Sequence, residues 1–344
     1  MTLKEELEIL RGEPIQVFDG DPMDIPCIET SDPDKLCKHP VVSVHMITYN
    51  HEPYIRQAIE GVMMQKTDFE FELIIGEDCS QDKTREICFE YQKKYPDKIR
   101  VLWWHENVSK LGGNSRRVRA HSRGEFIAFC EGDDYWLSSE KLQRQFNVFQ
   151  MHKSVGFVTT HGIEVDAGGK YIRDLPIPLR GFVGRQVMLN KMLTSFWPGV
   201  LTCAVMCRYD VLCKNYDAIS LLHRMRLRCG DVQRELATLY THDAYFIPDK
   251  MVAYRKNPKS ITGNVKSNFY VGRDGLLARY AYVCMTNMEH EKNFILKWYS
   301  NYMAESGLGI LPFLKWLFWF VRSDKKFMIV ARRARRMIKA LFTK

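Results

Sequence analysis

Apolar and polar positions alternate along this chain in blocks. Residues 41–48 form an apolar run rich in β-branched side chains, the pattern of a strand buried on both faces. Next, Ile55, Ala58, Ile59, Val62 and Met63 recur at the spacing of one helical face. Residues 71–76 read as a second strand, 84–95 as a helix closed by Pro96, and 99–104 as a third strand. A short polar helix is expected over 113–122 and a fourth strand over 126–130. Ser138 or Ser139 then caps a helix carrying Leu142, Phe146 and Phe149. Strands alternating with helices in this way predict an α/β domain. Its sheet is mostly parallel, with helices on both faces. Residues 1–39 are polar and rich in Asp and Pro, and are expected to wrap or trail as an N-terminal extension. The main domain is placed at 40–265 and a helical C-terminal region at 266–344.

Composition changes this picture in one respect. Apolar residues make up 46% of the chain and charged residues 26%, as in ordinary globular proteins. The net charge of +9, however, is not spread evenly. Residues 315–344 hold ten Lys or Arg and one Asp, so residues 1–314 carry 40 basic and 40 acidic residues. A main domain without a basic surplus argues against nucleic acid as partner. The ten cysteines form no CxxC pair, which predicts neither a zinc ribbon nor a disulfide scaffold. With no signal-peptide pattern after Met1, the expected compartment is reducing and cytoplasmic.

In a parallel sheet, ligands bind beyond the carboxyl ends of the strands. Three of those ends are unusually polar. The first carries Thr48, Tyr49, Asn50, His51 and Glu52. The second carries Glu77 and Asp78, followed by Ser80, Asp82 and Thr84. The fourth carries Glu131, Gly132, Asp133 and Asp134. Each alone has a plain explanation: Ser80 or Asp82 could cap a helix, and Asp133 with Asp134 could form a turn. Three clusters at equivalent positions are harder to dismiss.

The spacing TYN, then ED-x-S-x-D-x-T, then EGDDYW resembles the family-2 glycosyltransferases of the GT-A fold. The resemblance implies a Rossmann-like GT-A domain that binds a nucleotide-sugar donor, UDP-sugar first. It also implies a divalent cation, Mn²⁺ or Mg²⁺, and transfer with inversion. The family's metal motif is D-x-D; here it reads Glu131-Gly132-Asp133. By the resemblance Asp133 is the metal ligand, and Glu131 and Gly132 border the ribose and metal. Asp134 supports the loop or faces the acceptor. Asp78 would accept a hydrogen bond from a pyrimidine N–H, with Tyr49 beside the ring. Thr48, Asn50, Glu52 and Glu77 complete the donor side. Lys110 and Asn114 flank a Gly-Gly pair after the third strand, where Lys110 could reach a phosphate. Arg116 and Arg117 replace the family's Asn-Ala-Gly pattern and read equally as donor contacts or a solvated helix face.

Transfer to a hydroxyl needs a proton acceptor. Residues 228–232 resemble the family segment that supplies it, which makes Asp231 the candidate base. Read without the resemblance, a Gly-Asp before a helix is an N-cap. Arg255, at the end of a later strand, is expected near the pyrophosphate. On the acceptor side stand Trp197, whose ring could stack on a sugar, and Thr202. Residues 308–321 are apolar and aromatic but too short for an ordinary span, and the segment beyond interleaves basic and apolar positions. That combination predicts attachment to an anionic membrane surface, peripheral on the inner face of the cell membrane, where a lipid-linked or glycan acceptor would lie. Packing on protein, or in an oligomer, is the competing expectation. A non-catalytic sugar-nucleotide or glycan-binding module would not need both Asp133 and Asp231. A sugar-phosphate nucleotidylyltransferase would carry a Gly-rich basic loop that residues 41–51 lack.

Overall fold

A computed structural model describes residues 2–108, 113–175, 179–195, 199–257 and 265–306. The chain opens on α1 (Leu3–Arg11), whose start is fixed by a capping box between Thr2 and Glu5. Then follow β1 (Ile28–Thr30), β2 (Val42–Thr48), α2 (Ile55–Met63), β3 (Phe71–Glu77), α3 (Thr84–Lys94), β4 (Ile99–Trp103), α4 (Asn114–Ala120) and β5 (Phe126–Phe129). The second half holds β6 (Tyr135–Trp136), α5 (Lys141–Met151), β7 (Val155–Val165), β8 (Tyr171–Asp174), β9 (Gly181–Val183), α6 (Arg185–Thr194), β10 (Met206–Arg208), α7 (Tyr209–Ala218), α8 (Ser220–Arg224), α9 (Gly230–Thr238) and β11 (Asp243–Arg255). Last come α10 (Val265–Met285) and α11 (Glu289–Ser306).

The chain divides into two compact units. One gathers residues 17–226 and 230–268 around a mixed sheet ordered β1-β4-β3-β2-β5-β10-β7-β11-β6. Strands β4, β3, β2 and β5 run parallel, as their continuous apolar runs predict. All seven residues of β3 are buried. Beyond β5 the alternation expected from the first half gives way, because β10 enters antiparallel between β5 and β7. The apolar segments around 244–247 and 252–255 join into the single strand β11, with register shifts where they meet. Helix α5 begins at Lys141 without a side-chain cap, and Ser138 instead accepts from the Glu140 amide at 3.2 Å.

Residues 28–30 are built into the sheet as an antiparallel edge strand on β4. Arg100 of β4 holds that strand through Glu29 at 2.8 Å and also reaches the fully buried Glu72 of β3 at 3.2 Å. Glu72 takes Ser43 and Arg123 as well, each at 2.6 Å, so this buried carboxylate is fully engaged. The second unit combines, among the described residues, 2–16, 227–229 and 269–306. Here Asp274, fully buried on α10, pairs with Arg11 at 3.2 Å and Arg273 at 3.0 Å. Tyr299 of α11 donates to the Leu10 carbonyl at 2.5 Å. No helix among the described residues is long and apolar enough to cross a membrane.

Candidate active site

The parallel register sets the site. It pairs Thr48 with Glu77, so Tyr49 and Asp78 leave adjacent strands side by side. Asn50 and Cys79 each take a left-handed backbone, with φ of 55° and 63°. Non-glycine residues rarely adopt that conformation unless surroundings enforce it, and such positions gather at functional sites. Here the enforcement is visible. Asn50 donates its amide to Ser80 at 3.0 Å and accepts the Gln81 amide at 2.8 Å. Glu52 and Asp82 bridge the same two loops: the Glu52 amide donates to Asp82 at 3.1 Å, and the Glu52 carboxylate accepts the Lys83 amide at 3.2 Å.

Asp78 is buried, with one carboxylate oxygen taken by the Val108 amide at 2.8 Å. Burial raises its pKa. Tyr49 is half exposed beside it. Glu77, by contrast, is fully buried and faces inward. Its oxygens accept the Ser80 amide at 2.6 Å and Arg85 at 2.5 Å, so it shapes the loop on which Asp78 stands. Asn114 donates to the Gly76 carbonyl at 2.6 Å and accepts from Arg117 at 2.8 Å. Arg117 is fully buried and caps the carbonyls of Glu77 at 2.9 Å and Leu102 at 3.2 Å. Neither a donor contact nor a solvated face describes it: its guanidinium satisfies strand ends.

The acidic loop after β5 is tied down from two sides. The Gly132 amide donates to the Ile47 carbonyl at 3.1 Å, which docks the loop against β2. A Cβ at Gly132 would lie 2.6 Å from Thr48 Oγ1 and 2.8 Å from His51 Nδ1, so only glycine fits there. From the other side, Arg255 donates its amide to Asp134 at 2.8 Å and its Nε to the Asp133 carbonyl at 2.8 Å. The rest of its guanidinium is used by Ala167 at 3.0 Å and Gln57 at 2.6 Å, between the rings of Tyr54 and Tyr135. Arg255 therefore clamps the loop from below. Asp134 is buried and its pKa is raised well above the ordinary range by burial and by Asp133 and Glu131. It supports the loop.

Glu131 has its pKa pushed up to about 7, by burial first and by Asp133 and Asp231 as well, with Arg234 opposing. Its Oε2 is buried without a partner among the described residues, as are Thr48 Oγ1 and His51 Nδ1. His51 Nε2 lies 3.8 Å from the Asp133 carboxylate. Burial lowers the pKa of His51 although Asp133 and Asp82 pull it upward. Three carboxyls within four residues, one with an unmatched oxygen, suit a hard divalent cation. The described residues hold no group of three or more His, Cys, Asp or Glu arranged as a ready metal cage. A cation that keeps waters and shares phosphate oxygens needs no such cage.

Asp231 lies in the first turn of α9, inside the helix and not at its N-cap. From there its charge reaches both Glu131 and Arg234. Arg234 is buried, 4.1 Å over the ring of Phe129, the last residue of β5. Thr202 stands in a short helical turn ahead of β10, half-buried. Lys110 and Trp197 fall outside the described residues.

Residues 43–212 match the model for glycosyl transferase family 2. The chain carries a family-2 glycosyltransferase domain. A Mycobacterium tuberculosis protein described as uncharacterised is 40% identical over 226 residues, which is 64% of this chain and 60% of that one. The chain thus spans about 60% of the length of these curated relatives. The Bacillus subtilis minor teichoic acid biosynthesis protein GgaB is 34% identical over 113 residues, 33% of this chain and 12% of its own. In architecture the chain is similar to the mannosyltransferase PcManGT from Pyrobaculum calidifontis, solved with GDP-Man and Mn²⁺, at a TM-score of 0.52 and 12% identity. That match covers 90% of this chain and 86% of that one. The GT-A fold expected from the three polar strand ends is the fold of the family-2 domain. Sequence reasoning passed over His51, Arg234 and Gln57 as site-shaping residues. His51 lay in plain view between Asn50 and Glu52. Arg234 carries no local signal, since burial of an arginine on a helix is set by what packs over it.

Proposed function

We propose that this chain is an inverting, metal-dependent glycosyltransferase. It moves a hexosyl or N-acetylhexosaminyl group from a nucleotide-diphosphate sugar, UDP-sugar first, to a hydroxyl of a glycan or lipid-linked acceptor. Cell-surface polysaccharide synthesis is the setting, in keeping with the named role of GgaB. The observation that supports the reading most is that Asp231, a hundred residues away in sequence, is near enough for its charge to act on Glu131 in the acidic loop after β5. On this reading the donor grip at Asp78, the diphosphate side at Asp133 and the base candidate Asp231 serve one site.

In the reaction, the acceptor oxygen forms a bond to the anomeric carbon as the bond from that carbon to the diphosphate breaks. Asp231 takes the hydroxyl proton. The nucleoside diphosphate leaves with the bonding electron pair. Asp78 accepts from the base N–H, which burial favours by excluding competing water. Asp133 would hold Mn²⁺ or Mg²⁺, with Glu131 beside it, and the cation supplies charge neutralisation for the leaving diphosphate. Arg255, His51 and Gly132 fix the loop on which those carboxylates sit. The basic C-terminal segment is assigned to an anionic membrane surface on the cytoplasmic side, near a lipid-linked acceptor.

The test is donor binding and hydrolysis by the purified chain across UDP-, GDP- and dTDP-sugars, with and without Mn²⁺. Binding of a nucleoside diphosphate that strengthens with metal, and is lost in Asp133→Asn, is the expected result. Failure to bind any nucleoside diphosphate would reject the reading.

A further inference from the structure

A second charged cluster lies away from the acidic loop, on the flank of α4 and α8. Arg116 and Arg119 project from α4, and Arg224 closes α8. Their like charges are felt mutually: Arg116 is held below the ordinary arginine range, by burial first and then by Arg119 and Arg224. His223 is pushed down to about 3 by burial and the same three arginines. It is therefore neutral, and it meets Arg119 through Nε2 at 2.6 Å as an acceptor, adding no charge of either sign. The carboxylate acting on Arg116 is Asp19, which pairs with Arg224.

The geometry suits an incoming anion. The guanidinium of Arg116 lies 5.2 Å over Phe18, and that of Arg119 lies 4.9 Å over Tyr216. The Tyr216 ring in turn stacks on His223 at 3.7 Å. Rings that hold guanidinium planes leave their N–H edges oriented, and less entropy is lost when an oxyanion binds them. The Nε atoms of both Arg116 and Arg224 are buried without a partner among the described residues. Arg116 also donates a long hydrogen bond to the Gly20 carbonyl at 3.4 Å. Asp19 itself is 69% exposed in its side chain, so its pair with Arg224 is screened by water and weakly held.

We propose that Arg116, Arg119 and Arg224 form a binding site for a phosphate group, over which Asp19 rests as an internal, displaceable counter-charge. Arginines bind phosphate through paired, charge-assisted N–H donors, and three of them outmatch a single exposed carboxylate. The phosphate is either free in solution or part of a phosphodiester-containing acceptor. The site itself does not depend on the glycosyl-transfer reading; only the assignment of its phosphate to an acceptor rests on that reading.

The probes are inorganic phosphate and glycerophosphoglycerol, a simple phosphodiester. Calorimetric titrations at constant ionic strength use full-length Asp133→Asn protein without divalent metal, so that the donor site does not compete. Binding of either probe is expected. Asp19→Asn should tighten it about tenfold by removing the competing carboxylate, and Arg116→Gln with Arg224→Gln should abolish it. A preference for inorganic phosphate marks a free anion as the ligand; equal or tighter binding of the diester marks an acceptor phosphate. A clamp that only fastens residues 17–20 predicts the opposite for Asp19→Asn, a lower melting temperature with no gain in binding. That result overturns the proposal. So does absence of binding to both probes, or binding that survives loss of both arginines in protein that melts normally.

Discussion

Asp231 stands one residue into α9, where a carboxylate also favours the positive end of the helix dipole. Chemistry and helix stability therefore make separable claims on it. Asp231→Asn is expected to leave nucleoside diphosphate binding intact and to lower transfer by roughly 10²–10⁴-fold, the usual worth of a general base. Single-turnover transfer beside calorimetric donor binding checks it; unchanged turnover would leave Asp231 only its helix-end role. Gly132 makes a sharper demand. A methyl group there meets Thr48 and His51 at under 3 Å, so Gly132→Ala must push the acidic loop off β2. Metal-dependent donor binding should be lost and the melting temperature should fall as well, because the loop runs between the buried Cys130 and Trp136. At this scale the sequence showed which residues stand at strand ends, since that follows from periodicity alone. It did not show which way they face. Asp78 and Asp133 are the proposed donor and metal residues, whereas Glu77, Asn114 and Arg255 turn inward to hold the loops. A strand end exposes and buries alternate side chains, and the loop beyond it breaks that alternation.

Among the elements, α5 carries an unusual burden. Lys141 is fully buried at its start, with Nζ 2.8 Å from Gln145 and 4.1 Å from the Trp136 ring. Burial pushes its pKa down to about 7, against a slight upward pull from Cys130 and Cys203. The folded value lies below the unfolded one, so the unfolded chain binds the proton more readily between the two. Stability is therefore lowest at pH below about 7 and recovers as pH rises toward the ordinary lysine value of 10.5. Lys141→Met should raise stability at pH 6 by about 1–3 kcal/mol, the cost of a poorly matched buried polar group. The gain should shrink through pH 8 and 9 in thermal melts. A gain independent of pH would show that packing, not charge, is what the substitution changes. The first four strands of the parallel run were legible in the sequence because both faces are buried and the apolar runs are unbroken. Strands β1 and β9 were not, being three residues long and placed by pairing partners far away in sequence, and β8 is the short, fully exposed return of a hairpin with β7. The antiparallel entry of β10 between β5 and β7 is a tertiary choice that no local pattern records.

For the whole molecule, the uneven charge is the feature with the widest consequence. Residues 1–314 balance 40 basic against 40 acidic side chains, while residues 315–344 carry the whole of the net +9. Residues 307–344 lie outside those described, so the argument rests on composition. Ten cations near a cytoplasmic leaflet contribute about 1 kcal/mol each at most, and the interleaved Phe327, Met328, Ile329, Val330, Ile338, Leu341 and Phe342 add an apolar share. On the proposed membrane attachment, these contributions would hold the chain reversibly at the surface without a span. Removing residues 308–344 should therefore abolish sedimentation with vesicles containing 30% anionic lipid at about 0.1 M salt, where the Debye length is about 10 Å. Donor hydrolysis in solution should remain, because Asp78, Asp133 and Asp231 all belong to the compact unit of residues 17–226 and 230–268, which the truncation leaves whole. Attachment of the intact chain should weaken steeply as salt rises toward 0.5 M and vanish on purely zwitterionic vesicles. If the truncated chain still sediments, the tail is not the anchor. If it instead loses donor hydrolysis and melts lower, the segment packs on protein, and the charge it carries serves a contact within the molecule or between copies.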